Sequence, residues 1–394
     1  MKRQKILIAG AGIGGLTAAS CLMKAGHQVE IYEQAPQLGE IGAGIQISAN
    51  AMHVMRHIGL GEAIDKIGVR PEAYVFRLHD TGEVIQRFSL AAEHERMHGA
   101  PYTQLHRADL HELLAAKARE FDPSVVRLNK RITKFTQDDN GVTLHFADGT
   151  SATGDMLIGG DGLKSVVRAQ IVGNAPATYT GDVAYRLVVP TDRLPPDFME
   201  RVMSVFMGPG GHVVAYYLRA GKLLNFVGLI EIDTISEESW TVKVDWDVIK
   251  KYFEGWHPII QGIIDACDKD QCYQWSLHNR LPIKNWTDGR ATLLGDSAHA
   301  TLPYLAQGAA MAAEDGAVLM RALEMRDTIP EALNLYQRNR IDRTAKVVLQ
   351  SSENRKLFHL GSVEAIRAAF AKRSEGDDRN KWLYSYNPLT VELT

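Results

Sequence analysis

The sequence predicts an α/β fold: a parallel-sheet domain, split by an inserted antiparallel sheet and followed by a helical C-terminal region. Three observations carry this. A strand, a glycine turn, a helix and a second strand open the chain. Period-2 apolar alternation fills the middle, and the last hundred residues are mostly helical in pattern. The chain has 394 residues, enough for two to three domains. We divide it into a discontinuous first domain (1–72, 98–180 and 275–350), an inserted domain (73–97 and 181–274) and a C-terminal helical segment (351–394).

The elements follow in order. Residues 5–9 (KILIA) read as a buried parallel strand, being apolar without alternation. Gly10 to Gly15 make a turn, 15–25 (GLTAASCLMKA) a helix ending at Gly26, and 28–33 (QVEIYE) the next strand. Residues 73–97 are strand-like and are assigned to the inserted sheet. A helix is expected over 107–120, with Arg107 at its start. Strands are expected within 125–150, with an Asp148-Gly149 turn, and over 155–160, ending at Asp161. From 181 to 233, DVAYRLVVP, VMSVFMG, GHVVAYYLRAG and LLNFVGLIE alternate with turns. Residues 241–266 look helical, and 290–295 (RATLLG) returns to strand.

Composition excludes some classes. The net charge of −3 gives no basic field for nucleic acid or an anionic membrane. No run of 18 apolar residues stands in the sequence, so no transmembrane helix is expected. Lys2, Arg3 and Lys5 before ILIAGAGIGGL imitate a signal peptide, but glycines break the apolar run. The three cysteines (Cys21, Cys267, Cys272) have no metal-site spacing. No metal is expected, and the simplest setting is a reducing, cytoplasmic one.

Gly10-Ala11-Gly12-Ile13-Gly14-Gly15 is a full G-x-G-x-x-G. Gly10 permits the tight turn, Gly12 the close approach of a pyrophosphate, and Gly15 helix–strand packing. Phosphates would meet the helix N-terminus, with Gly14 beside them. The acid expected about 20 residues further on is Glu33, next to Gln34, placed to accept ribose hydroxyls. The hexapeptide alone could be a glycine-rich turn without ligand. Strand, helix, second strand and terminal acid together point to a dinucleotide on a Rossmann-like domain. Two further strand-end acids follow, in Gly160-Asp161-Gly162 and Gly295-Asp296. Such acids face the ligand crevice. Asp296 could hold a ribityl chain, which favours FAD over NAD. The helix opened by Gln307-Gly308-Ala309 would aim its N-terminus at a flavin ring. Taken alone, Asp296 could equally be a backbone cap and Gly308 a plain turn.

These residues resemble the class A flavoprotein aromatic hydroxylases, of the p-hydroxybenzoate hydroxylase fold. The resemblance runs through the chain: Gly10–Gly15 with Glu33; Asp161 with Ser165 and Arg168; Asp296 with Pro303 and Gly308. It is nearest to the salicylate, 3-hydroxybenzoate and 6-hydroxynicotinate hydroxylases, through GAGIQISANAM (42–52), HRADLHELL (106–114), DGLKSVVR (161–168), GGHVVAYYLRAG (210–221) and WLYSYN (382–387). It implies a Rossmann-like FAD-binding domain, an inserted antiparallel-sheet substrate domain, and tightly bound, non-covalent FAD. It implies that Arg107 contacts the pyrophosphate, Gln46 lies near the flavin ring, and Ile132 touches the adenine region. Asp161 is implied in handling nicotinamide and pyrophosphate. No second dinucleotide motif exists, so NADH or NADPH would dock transiently.

The implied reaction inserts one atom of O2 into an aromatic ring through a C4a-hydroperoxyflavin. The attacked ring must be electron-rich, so a base that deprotonates a ring hydroxyl is expected. His212 and Tyr216 share one face of an apparent strand with Val214. His212 suits the base role near neutral pH, and Tyr216 could bond or relay the hydroxyl proton. Spacing alone also allows His212 as a turn residue and Tyr216 as sheet core. Gly42 to Gly44 and Pro303 to Tyr304 would wall the substrate site. Arg186 and Arg219 are candidates for a substrate carboxylate, Arg219 on the opposite strand face. His299 is read as a local packing or hydrogen-bonding residue. Pro303 stands where the 3-hydroxybenzoate enzymes carry Gln, and Gln46 where the 6-hydroxynicotinate enzymes carry His. The exact aromatic acid therefore stays open. So do a FAD oxidase or dehydrogenase activity and a homodimer.

Overall fold

The computed structural model describes residues 2–39, 43–232, 242–372 and 380–394; Gly42 lies outside them. The parallel sheet has six strands, in the order Thr287–Asp288, Ala291–Leu293, Met156–Gly159, Lys5–Ala9, Gln28–Tyr32 and Val126–Arg127. All pairs are parallel except the hairpin at the Thr287–Asp288 edge. Ile6, Leu7 and Ile8 have no exposure. The unbroken apolar run therefore marks a strand covered on both faces. Helix Ile13–Lys24 packs against helix Gly308–Met325, where a Cβ on Gly316 would fall 2.9 Å from Ala18 Cα. The opening unit and the late helix thus meet at backbone distance.

The inserted sheet has eight strands: Val242–Lys243, Tyr273–Asn279, Thr178–Pro190, Leu223–Glu231, Gly211–Leu218, Met203–Gly208, Ala73–Leu78 and Val84–Ser89. Neighbours are antiparallel except Met203–Gly208 with Ala73–Leu78. One face carries Leu187, Phe226 and Phe253 in its own core; the other turns toward the parallel-sheet domain. The region 73–97 does join this sheet through two strands, but Ala92–His98 is a helix.

Three boundaries differ from the sequence reading. Thr178–Pro190 starts before 181 and Tyr273–Asn279 runs past 274, so both cuts fall inside strands. A register shift between Tyr179 and Val183 and half-buried residues at Tyr273–Trp275 blur the alternation there. The cut at 350 falls inside one helix, Ile329–Phe358, which no glycine or proline interrupts after Pro330. Among the described residues no helix is long and apolar enough to cross a membrane.

Candidate active site

A cavity of about 1170 Å³ lies between the carboxyl ends of the parallel strands and the inner face of the eight-stranded sheet. This is where an open α/β sheet binds its ligand. Gly12, Gly14, Gly160, Gly162, Gly295 and Asp296 line one end; Arg186, His212, Val214, Tyr216, Val227 and Leu229 line the other.

The glycine turn is built as its residue types require. Gly10 has φ +93°, and a Cβ on it would fall 2.6 Å from Gly160 O. A Cβ on Gly15 would fall 2.2 Å from Gly10 O, and one on Gly14 would meet Leu294 at 2.8 Å. Gly12 has open space around it, so its backbone is left for a ligand. His111 holds Ala11 O at 2.7 Å, tying the turn to helix Arg107–Phe121.

The three strand-end acids differ in what they hold. Glu33 accepts from Ala11 N and Ala35 N, both at 2.9 Å, and so anchors the turn. Asp161 accepts from Ser165 Oγ (2.5 Å), Val166 N (2.8 Å) and Val167 N (3.3 Å). It takes the first two N–H groups of helix Val166–Val172, beside the N-cap Ser165, and is not among the cavity-lining residues. The expectation that its carboxylate faces the ligand crevice is therefore corrected: orphan N–H groups of a helix end take it first. Burial pushes the Asp161 carboxyl up against those hydrogen bonds. Asp296 is exposed into the cavity, and among the described residues nothing hydrogen-bonds its carboxylate.

The Asp296 loop rests on buried charge. Asp315 accepts from Gly295 N (3.0 Å), His299 Nε2 (2.6 Å) and Arg340 Nε (2.7 Å). Glu314 binds Arg340, Arg343 and, at 2.5 Å, Asn50. Burial pushes the Asp315 carboxyl up, but His299 and Arg340 outweigh it and hold it down at about 2. His299 is thus a local hydrogen-bonding residue. Asn50 also reaches Gln307, which bonds Ser48. This chain of contacts presents the N-terminus of Gly308–Met325 to the cavity, with Gly308 and Ala309 lining it.

The remaining expected residues sort clearly. Gln46 and Arg107 line the cavity, Gln46 beside Met203 Sδ at 3.3 Å. Glu33, Gln34 and Ile132 lie outside its lining; Gln34 is exposed and Ile132 is in the strand Ile132–Gln137. Pro303 and Tyr304 form a 3-10 turn at the cavity wall. Tyr216 lines the cavity against Gly44, where a Cβ would fall 2.3 Å from its hydroxyl. Burial raises the Tyr216 phenol. His212 is buried, with Nδ1 2.9 Å from His359 Nε2. Burial, and then neighbouring His359, push its imidazolium well below the usual range. Arg186 lines the cavity on the cross-strand row of Val214 and Val227. Arg219 instead pairs with Asp109 at 2.6 and 2.8 Å, away from the lining.

A family described as the FAD binding domain matches residues 3–351. The chain belongs to this family. It is 38% identical over 390 residues to 3-hydroxybenzoate 6-hydroxylase of Polaromonas naphthalenivorans (strain CJ2), covering 97% of this chain and 96% of that one. It is 35% identical over 360 residues to 6-hydroxynicotinate 3-monooxygenase of Pseudomonas fluorescens, covering 89% and 91%. The crystal structure of Klebsiella pneumoniae HpxO with FAD and uric acid superposes with a TM-score of 0.84 at 29% identity, covering 98% and 96%. The chain is a flavoprotein monooxygenase of the aromatic hydroxylase class. The residues fit FAD: open backbone at Gly12 and Gly162, a near-open Gly308, and an unbonded Asp296 carboxylate at one cavity.

Sequence reasoning missed several residues of this site. Asp182, Glu231, Arg355 and His359 gather behind His212, and Tyr304 donates to Asp182 at 2.8 Å. Tyr384 lines the cavity beside His94, His98 and Tyr102. One signal was readable: Glu314-Asp315 interrupts the small, apolar helix GAAMAAEDGAVLM, and buried acids demand buried cations.

Proposed function

We propose that this flavoprotein hydroxylates a hydroxylated aromatic carboxylate of the salicylate, 3-hydroxybenzoate or 6-hydroxynicotinate type. Bound FAD, reduced transiently by NADH or NADPH, supplies the oxygen atom taken from O2. The observation that carries the reading is one cavity with an unbonded Asp296 and an open helix N-terminus at one end. At its other end stand a histidine that burial keeps neutral and a tyrosine hydroxyl that nothing hydrogen-bonds among the described residues.

Gly12, Arg107, Asp296 and the Gly308 N-terminus would bind phosphate, ribityl and ring. Glu33, with its turn, and Gln34 and Ile132 beyond the cavity would meet the adenosine end. His212 takes the ring-hydroxyl proton at Nε2, since its Nδ1 faces His359. Burial keeps it neutral and ready to accept. Tyr216 orients the same hydroxyl, and Gly44, Pro303 and Tyr304 fix the ring's position. Arg186 is the arginine placed to meet the carboxylate.

The test is a panel of salicylate, 3-hydroxybenzoate, 4-hydroxybenzoate and 6-hydroxynicotinate with NADH or NADPH. One member should strongly raise cofactor oxidation and yield a product heavier by one oxygen. NADH consumption indifferent to the whole panel, or stimulated without hydroxylated product, would overturn the substrate class.

A further inference from the structure

Behind His212, away from the cavity, a line of polar groups leads to solvent. His212 Nδ1 lies 2.9 Å from His359 Nε2. His359 Nδ1 lies 3.4 Å from both Asp182 Oδ1 and Glu231 Oε1. The side chains of His359 and Asp182 are buried, while that of Glu231 is 44% exposed. Asp182 and Glu231 face each other across neighbouring strands, and His359 ends the long helix Ile329–Phe358. Three distant segments therefore converge on one path.

The path has a direction. At 3.4 Å His359 Nδ1 is close to both carboxylates without a formed hydrogen bond. Ionised carboxylates only accept, so the tautomer with its N–H at Nδ1 faces them and Nε2 accepts. His212 must then donate from Nδ1, which leaves its Nε2 lone pair on the cavity side. We propose that His359 and Glu231 carry to solvent the proton that His212 takes from the substrate hydroxyl. The inference rests on His212 being the base. The substrate O–H breaks and its proton bonds to His212 Nε2. The Nδ1 proton of His212 passes to His359 Nε2, the Nδ1 proton of His359 to Glu231, and Glu231 gives it to water. One proton leaves the substrate, one enters solvent, and no electrons move. The tautomers are restored when the product phenolate recovers a proton along the same line.

The surroundings favour this exit. The rings of Tyr304, Phe358 and His359 surround His212. Burial and then His359 disfavour an imidazolium there, outweighing the favourable charge of Asp182. Asp182 accepts from Arg355, Tyr304 and Thr180; burial pushes its carboxyl up, but neighbouring His359 first, then Arg355 and Tyr304, hold it well below the usual range. It therefore orients His359 and does not accept the proton. Among the described residues the charged groups that Glu231 meets are Arg355, at 3.1 Å, and His359, and its side chain is partly exposed. Arg355 also supplies the cation that the two carboxylates need, which leaves little call for a metal ion among them.

The experiment reads proton release, without turnover. Oxidised, FAD-loaded enzyme in weak buffer with a pH-indicator dye is mixed rapidly with 3-hydroxybenzoate. Wild type should release a proton on binding, while His212→Gln should release none. His359→Ala and Glu231→Gln should slow release by roughly tenfold or more at similar FAD content, as for loss of a proton-transfer group. Added imidazole should restore the rate in His359→Ala, which a merely structural defect would not allow. Wild-type rates in both relay variants, with His212→Gln silent, overturn the relay and leave the base in place. Undiminished release by His212→Gln, or none by wild type, removes the base reading and the relay with it. If His359→Ala loses FAD, the surface variant Glu231→Gln decides alone.

Discussion

At the parallel-sheet end of the cavity the protein offers backbone and an unpaired acid; at the antiparallel end it offers side chains already paired from behind. Gly12 is open, and among the described residues nothing hydrogen-bonds the Asp296 carboxylate. His212, by contrast, is backed by His359 and Tyr304 by Asp182. The difference follows from the ligands. A long anionic cofactor is gripped by fixed dipoles that need no adjustment. A substrate that loses a proton needs a group whose protonation state is controlled, and control comes from neighbours. The first kind of site is written in local sequence, the second in contacts across it.

The largest test of the contrast is at Arg340, which holds the unpaired end in place from inside. Arg340→Met leaves Glu314 and Asp315 buried with Arg343 and His299 as their remaining charge partners. Breaking a buried pair this way costs ~3–5 kcal/mol, so chemical denaturation should show a loss of that order. A variant as stable as wild type would mean that packing, not charge, holds the Asp296 loop. Next comes Asp296→Ala, which removes a carboxylate that nothing hydrogen-bonds among the described residues. FAD should bind roughly ten- to a hundredfold more weakly, the range for a hydrogen bond to a charged group. The apoprotein should melt as before. A fully flavinated Asp296→Ala enzyme, or an early-melting apoprotein, would place Asp296 with the structural acids.

Asp161→Ala should behave in the opposite way. Its carboxylate takes the first two N–H groups of helix Val166–Val172, so the variant should lose ~0.5–2 kcal/mol of stability, the range for a helix cap. FAD affinity, measured by fluorescence quenching, should change less than in Asp296→Ala. Equal losses of affinity would show that capping and cofactor binding cannot be separated at these strand ends.

The three acids also mark how far the sequence was legible. Asp161 and Asp296 were found because each ends an apolar strand beside glycine, and Glu33 because it ends the second strand at the expected distance from the glycine turn, patterns with a local cause. Their roles were not equally legible. Whether an acid caps its own helix or faces the cavity depends on the chain just after it. Asp161 has the Ser165 hydroxyl and the Val166 and Val167 N–H groups within reach, and among the described residues Asp296 has no such donor. Most strands were readable from period and turns, and the cuts at 181, 274 and 350 fell inside elements where a bulge or a continuous helix erased the signal. His212 and Tyr216 were readable as one strand face. His359 was not, because it stands 147 residues away and no periodicity connects it to His212.

The smallest expected effect sharpens the paired end. Burial first, then His359, hold the His212 imidazolium well below the ordinary value of about 6.5. An unfolded chain takes up a proton there as pH falls through that value, and the folded chain refuses it. The resulting stabilisation is therefore complete above about 6.5 and declines below it, by up to ~1.4 kcal/mol per pH unit for this one group. Unfolding free energies at pH 7.5 and 5.5 should differ more in wild type than in His212→Gln, which cannot titrate. Identical differences in the two proteins would mean that folded His212 takes up the proton freely. A histidine charged in that way could not be the base that burial is here held to keep neutral.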